Sequence, residues 1–232
     1  MRTVILVGQL AIALAVAQPL LAECADLGEP ATWRASLAEK LNRTPDLTAI
    51  TEKLLIKYDP DSDIVRPTVG DARFVDLDGD GLLELVALVD YSGRPFFNNI
   101  VVLTTRAGSP VTVTYRSNGV SMTNLSNRIL SESGSAKRFV VIDQVIDRYE
   151  GAMPSPKEQR VLELKAGALA DVSKEHRDYF LIKRIPALEK QIGPASSQNR
   201  SSGSISTSPT ETDPQFVLRA ELERAKLQSL GE

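Results

Sequence analysis

The chain has 232 residues, with 27 Lys and Arg against 30 Asp and Glu and a formal net charge of −3. So small a charge, with the basic residues scattered, excludes nucleic acid or an anionic membrane surface as the main partner. A single Cys and a single His exclude an internal disulfide and leave too few ligands for a Cys/His zinc centre, so stability must rest on core burial, with or without a metal.

Met1-Arg2, the apolar run from Val4 to Ala17 and the sequence Pro19-Leu20-Leu21-Ala22 follow the order of a secretory signal peptide: positive start, apolar middle, small residue at the cut. The run is shorter than the roughly 20 residues that span a bilayer. Residues 1–22 are therefore expected to be removed after Ala22, with Ala17 as second choice, giving a periplasmic or secreted protein with no stable membrane insertion. Cys24 stands where a bacterial lipoprotein box would place an acylated Cys. The box needs a small residue just before it, however, and Glu23 is charged, so lipid anchoring is not expected.

Residues 23–71 are expected to form an N-terminal helical segment. In "PATWRASLAEKLNR" Trp33, Leu37 and Leu41 recur at helical spacing, and Pro30 suits a first helical turn. In "TPDLTAITEKLLIKYD" Thr44 is the expected N-cap, Pro45 the first helical position, and Leu47, Ile50, Leu54 and Leu55 share one face. "DPDSDIVRPTVGD" then reads as loop.

From Ala72 the pattern becomes strand-like and extends to residue 192. "LLELVALVDY", "FNNIVVLTTR" and "VTVTYRS" form one group, "KRFVVIDQVIDRY", "EQRVLELKA" and "ALADVS" another. "KEHRDYFLIKR" closes the domain as a helix that Pro186 kinks or restarts. Each strand group runs from a Gly-bearing loop through a long apolar strand, a Tyr-x-Gly corner (Tyr91/Gly93 and Tyr149/Gly151), a second strand, an Ala-Gly turn and a third strand. A repeat of this order suggests stacked β-units such as propeller blades. Residues 193–214, rich in Ser, Thr, Pro and Asn, carry too little apolar surface to offset their ordering entropy and are expected to be a disordered linker. Residues 215–232 regain helical spacing through Phe216, Leu218, Leu222, Ala225 and Leu230. Such a C-terminal helix can dock on the domain, bind a partner or lie free.

The chemistry concentrates in "FVDLDGDGLLELV", Phe74 to Val86. Asp76, Asp78 and Asp80 occupy positions 1, 3 and 5 of a loop, Gly81 position 6, Leu82 position 7 and Glu84 position 9. Three carboxylates this close repel one another unless a cation neutralises them, and Ca²⁺ takes six to eight oxygen ligands. Gly79 and Gly81 allow the tight turn that aims alternate side chains inward, and at position 7 a backbone carbonyl suffices. An EF-hand would need a bidentate acid at position 12, where Ala87 stands, and two flanking helices. The segment instead resembles the calcium loop of FG-GAP/VCBS (integrin-like) β-propeller repeats, Asp-x-Asp-x-Asp-Gly-x-x-Asp before an apolar strand, with Glu84 in place of the final Asp. The resemblance covers residues 72–115 and reaches residue 173 through the repeat. It implies Ca²⁺ held by Asp76, Asp78, Asp80, the Leu82 carbonyl and Glu84. Shifted onto "SESGSAKRF" in the second group, the three Asp positions fall on Ser131, Ser133 and Ser135. Neutral hydroxyls cannot balance a divalent ion, so one loop is expected to bind and the other not.

Beside the loop, "YSGRPFFNN" offers Tyr91, Arg94, Phe96, Phe97 and Asn98 as a partner-recognition corner, or as a turn whose Phe residues enter the core. His176 reads as a surface or cap residue, and Asp90, Asp143 and Asp147 as strand-end acids that could line a cleft. The expected fold is α+β: an antiparallel β core of two propeller-blade-like meanders with N-terminal helices and a C-terminal helix. The expected function is a non-catalytic binding or accessory module of a bacterial envelope, with one structural Ca²⁺ and an envelope protein or glycan as partner. The competing reading is a metal-dependent envelope hydrolase using Asp76, Asp78 and Asp80 with a metal-activated water.

Overall fold

The computed structural model describes residues 27–63, 65–91, 99–106, 108–116, 120, 122, 124–131, 134–146, 155–193 and 214–232. The expected leader, Cys24 and residues 194–213 of the expected linker lie outside them. The strand groups form two four-stranded antiparallel sheets, each with its strands in chain order. The first holds β1 (Thr68–Val75), β2 (Glu84–Asp90), β3 (Asn99–Arg106) and β4 (Ser109–Arg116). The second holds β5 (Ile129–Ser131), β6 (Arg138–Val145), β7 (Lys157–Lys165) and β8 (Ala168–Asp171). The chain is thus α+β with an antiparallel core of two up-and-down meanders, as the residue pattern implied.

Every residue of β2 is buried, which is why its sequence is a continuous apolar run and not an alternating one. Val86 and Leu88, with Ile100 and Val102 of β3, face Val140, Ile142, Leu162 and Leu164 of the second sheet. The alternate residues Leu85, Ala87 and Val89 face Trp33, Leu41 and Leu55 of the N-terminal segment. On the far side of the second sheet Phe139, Val141 and Val161 pack on Val172 and Phe180. Four layers result, with helical segments outside and two sheets inside.

The N-terminal segment departs from the single helix expected over residues 30–43. It forms 3-10 turns at Pro30–Thr32 and Ala35–Leu37, then a short helix α1 (Ala38–Asn42). Between the turns Arg34 makes an isolated antiparallel bridge with Leu82. The Ala35 amide donates to the Gly81 carbonyl (3.0 Å) and the Leu83 amide to the Trp33 carbonyl (2.7 Å). Trp33 is buried edge-on against Phe74, ring centroids 4.8 Å apart, with its Nε1 donating to the Leu27 carbonyl. Backbone groups that a helix would satisfy internally are given to the acidic loop instead. Helix α2 (Leu47–Tyr58) starts later than expected, with Asp46, not Thr44, as its N-cap.

Strand β1 also begins before Ala72, in residues expected to be loop. It is an edge strand, so the mixed sequence "TVGDARFV" carries no apolar run to mark it. Its exposed edge is closed by Asn42, whose Oδ1 accepts from the Phe74 amide (2.7 Å) while its Nδ2 donates to the Phe74 carbonyl (2.8 Å), a device that denies the edge to other strands.

After β8 the chain is helical at α3 (Arg177–Tyr179), passes through a π-turn at Phe180–Arg184 and continues as α4 (Ile185–Ile192). The wider turn directly before Pro186 accommodates a residue that has no N–H to donate and whose ring crowds the preceding turn. Helix α5 (Pro214–Leu230) is docked. Strand β8 pairs only Leu162 to Lys165 of β7, leaving the start of β7 without a strand neighbour on that side. Glu221 and Gln228, two helical turns apart, fill the place. Glu221 accepts from the Lys157 amide (3.0 Å) and from Arg184 (2.8 Å), and Gln228 Nε2 donates to the Gln159 carbonyl (2.7 Å). Among the described residues no helix is long and apolar enough to cross a membrane.

Glu221→Ala removes the acceptor of the Lys157 amide and strands the Arg184 guanidinium, whose side chain is only 17% exposed. The expected result is a loss of about 2 kcal/mol in denaturant unfolding. Faster amide exchange at Lys157 and along α5, with the first sheet unchanged, would place that loss at the docked helix.

Candidate metal centre

The acidic loop is the connection from Val75 to Glu84, which are paired across β1 and β2. Its own carboxylates shape it. Asp76 accepts from the Gly79 amide through Oδ1 (2.8 Å) and from the Gly81 amide through Oδ2 (3.1 Å). Asp78 Oδ1 accepts from the Asp80 amide (3.2 Å) and Asp80 Oδ1 from the Leu82 amide (2.7 Å). Gly79 has φ +80°, and a Cβ there would meet the Ala136 Cβ at 3.0 Å. Both the left-handed turn and the close approach of the second sheet therefore require a glycine.

Glu84 is 2% exposed. Its Oε2 accepts from the Leu77 amide (2.7 Å) and its Oε1 from the Thr104 hydroxyl (3.2 Å). Thr104 follows Leu103, the partner of Leu85 in β3, and so stands opposite Glu84. Asp76, Asp78 and Glu84 offer carboxylate oxygens that all lie within 4.8 Å of one another. Oxygens bound to one Ca²⁺ at 2.3–2.6 Å lie up to about 5 Å apart, so this triad could hold a metal ion. Asp80 is not part of the cluster; it is exposed and holds the Leu82 amide. Leu82 is the bridge partner of Arg34, yet the bridging bonds run through its neighbours Gly81 and Leu83. In such a pair the paired residues turn their own N–H and C=O away from each other, and the Leu82 N–H is taken by Asp80.

Burial pushes the Glu84 carboxyl up to about 7; the Leu77 amide and Thr104 pull against that, and the charges of Asp78 and Asp80 add to it. Burial likewise raises Asp78, with Asp80 and Asp76 reinforcing the shift. These are carboxylates gathered against both desolvation and mutual repulsion, an arrangement that a cation relieves.

Three parts of the protein meet at the loop. Residues Trp33 and Ala35 bond its C-terminal end, and the Arg138 amide donates to the Leu77 carbonyl (2.9 Å) from the second sheet. The corresponding connection of the second sheet is two residues shorter. Ser131 lies in β5 and pairs with Arg138 as Val75 pairs with Glu84. The alignment of the Asp positions with Ser131, Ser133 and Ser135 is therefore out by one: Asp76 corresponds to residue 132, and Glu84 to Arg138. The preceding Lys137 binds Glu163 (2.9 Å).

The proposed recognition corner is not beside the acidic loop but at the opposite end of β2, because the fully extended strand Glu84–Asp90 separates them; of its residues, Tyr91 is half-buried against the helix-facing core and its hydroxyl donates to Asp59. Burial and the Asp59 carboxylate raise its pKa. Arg94, Phe96, Phe97 and Asn98 lie outside the described residues. His176 packs on the Phe139 ring, centroids 4.1 Å apart, and makes no cap bond. Asp143 is held by Arg128 and Gln159 and lies in the second sheet, whereas Asp90 is buried in the first; Asp147 is outside the described residues. The residue pattern did not point to Thr104, Trp33–Ala35 or Arg138. Only Thr104 carried a signal, as a polar position in an apolar strand. Comparison with protein-family models, curated proteins and solved structures gives no match, so fold and loop define the class: an α+β protein with an acidic, metal-competent β-loop.

Glu84→Gln keeps an acceptor for Leu77 and a partner for Thr104 but removes the charge. Because the folded carboxyl titrates near 7, above its ordinary 4.5, its favourable contribution is complete below about 4.5 and is lost as pH rises through about 7. In chelator the wild type should therefore lose stability relative to the Gln variant between pH 5 and 8, by on the order of 3 kcal/mol at most. Thermal melts of both proteins across that range check it.

Proposed function

We propose that the protein is a secreted or periplasmic, non-catalytic binding or accessory module whose loop holds one structural Ca²⁺ in the manner of FG-GAP/VCBS repeats. The observation that carries this reading is the clustering of Asp76, Asp78 and Glu84 where the N-terminal segment and the two sheets meet. An all-oxygen set of three carboxylates, to which the resemblance adds the Leu82 carbonyl, suits a hard cation of flexible coordination, hence Ca²⁺. An ion there would add a polar clamp to three elements that already share apolar cores. At the opposite end of β2, Tyr91 and its bond to Asp59 anchor the corner that leads to Arg94, Phe96, Phe97 and Asn98, the proposed contact for an envelope protein or glycan.

The hydrolase alternative needs an acid or base beside the metal. Among the described residues, Asp76 is the sole carboxylate lining the groove next to the loop, and the Asn42 amide there is tied at both ends to Phe74. This favours binding over hydrolysis.

Calcium at a hundredfold excess over its Kd should add about 2.7 kcal/mol of stability, read as a rise in thermal midpoint over chelator. Asp78→Ala should abolish most of the rise, Asp80→Ala less of it, and Ser133→Ala none. A wild-type midpoint that ignores calcium would sink the reading.

A further inference from the structure

Beside the metal loop runs a groove of about 440 Å³ between α1, the edge of β1 and the start of the second sheet. The small side chains of Ala35 and Ala38 keep it open, and Ile129 forms part of an apolar wall. Two guanidinium groups line it. Arg73 donates to the Ser126 hydroxyl (3.0 Å) and Arg138 to the Ser131 hydroxyl (2.6 Å), and neither is ion-paired with a carboxylate among the described residues. Arg128, Arg160, Arg184 and Arg224, by contrast, each hold an Asp or Glu. The Arg73 Nε–H is buried with no acceptor among the described residues. Buried donors in native structures are almost always satisfied, so the protein itself satisfies this guanidinium only in part.

We propose that this groove is a binding site for a small ligand bearing an oxyanion, a carboxylate or a sulfate, with Arg73 and Arg138 as its cationic contacts. The planar guanidinium fork matches such a group in two-point fashion, and the volume falls in the range of ordinary ligand pockets. Asp76 borders the same groove and, unneutralised, repels an anion. Resting on the calcium reading above, the inference adds that an ion on Asp76 removes this repulsion, so that calcium and the oxyanion strengthen each other's binding by the same factor.

The test is calorimetry on the full chain with glucuronate and with sulfate, against chloride at equal ionic strength, in calcium and in chelator. Saturable binding of either compound is expected, stronger in calcium. Arg73→Gln or Arg138→Gln should weaken it roughly tenfold or more, and Ala38→Leu should block it by filling the groove while leaving both charges in place. The tighter of the two compounds assigns the ligand as carboxylate or sulfate. Binding no better than chloride, or binding that survives all three substitutions, overturns the site. Calcium isotherms and melts of the same samples separate the causes. Calcium bound by a folded protein that takes up no anion defeats this inference alone. Anion binding by a protein that binds no calcium defeats the metal reading and the coupling, and leaves the arginine site.

Discussion

A carboxylate buried without a basic partner organises this protein. Glu84 opens the central apolar strand, and no Lys or Arg among the described residues forms an ion pair with it. Its two oxygens are held by a backbone amide and a hydroxyl, and the bonded groups form a relay. Thr104 of β3 binds Glu84 of β2, Glu84 binds the amide of Leu77 in the loop, and the Leu77 carbonyl binds the amide of Arg138 in the other sheet. A buried polar group is expensive unless fully bonded. Because these partners come from both sheets, satisfying Glu84 also fixes how the loop sits and how the sheets meet around it.

The two meanders share a strand order but treat charge differently. At the entrance to its second strand the first sheet gathers acids that have no ion-pair partner among the described residues. The second places Lys137 and Arg138 at the same point and neutralises its acids internally: Lys137 and Lys165 both reach Glu163, and Arg160 lies between Glu158 and Asp171. Arg224 of the docked helix adds to Glu158. The described acids of one sheet are neutralised by protein cations, and those at the loop of the other could be neutralised by a metal ion. This asymmetry explains why, among the described residues, a similar pattern of strands carries a metal-competent site only in the first sheet.

What could be read from the residues follows from where the determining contacts lie. Strands β2, β3 and β6 were legible because burial on both faces leaves an apolar run within each, and β7 was legible from the Val161, Leu162 and Leu164 it buries. The edge strands β1 and β5 were not, since one has a mixed composition and the other is three residues long. The helix expected around Trp33 failed because its backbone is claimed by Gly81 and Leu83, some fifty residues on, a contact to which local periodicity is blind. The acidic cluster was legible because its members fall within nine consecutive residues. That Asp80 turns outward while Glu84 turns inward was not, because side-chain direction is fixed by the turn and by the register with β3.

The Asn42 amide that closes β1 comes from a five-residue helix lying upstream of the strand it covers. Along a chain that leaves the ribosome from its N-terminus, the guard is made before the edge it guards. At Phe74 the β1 edge can therefore be bonded before the second sheet is made. Incomplete folding intermediates aggregate chiefly through such edges and exposed apolar faces. A guard delivered ahead of its edge protects the molecule at the stage when it is most crowded and least finished.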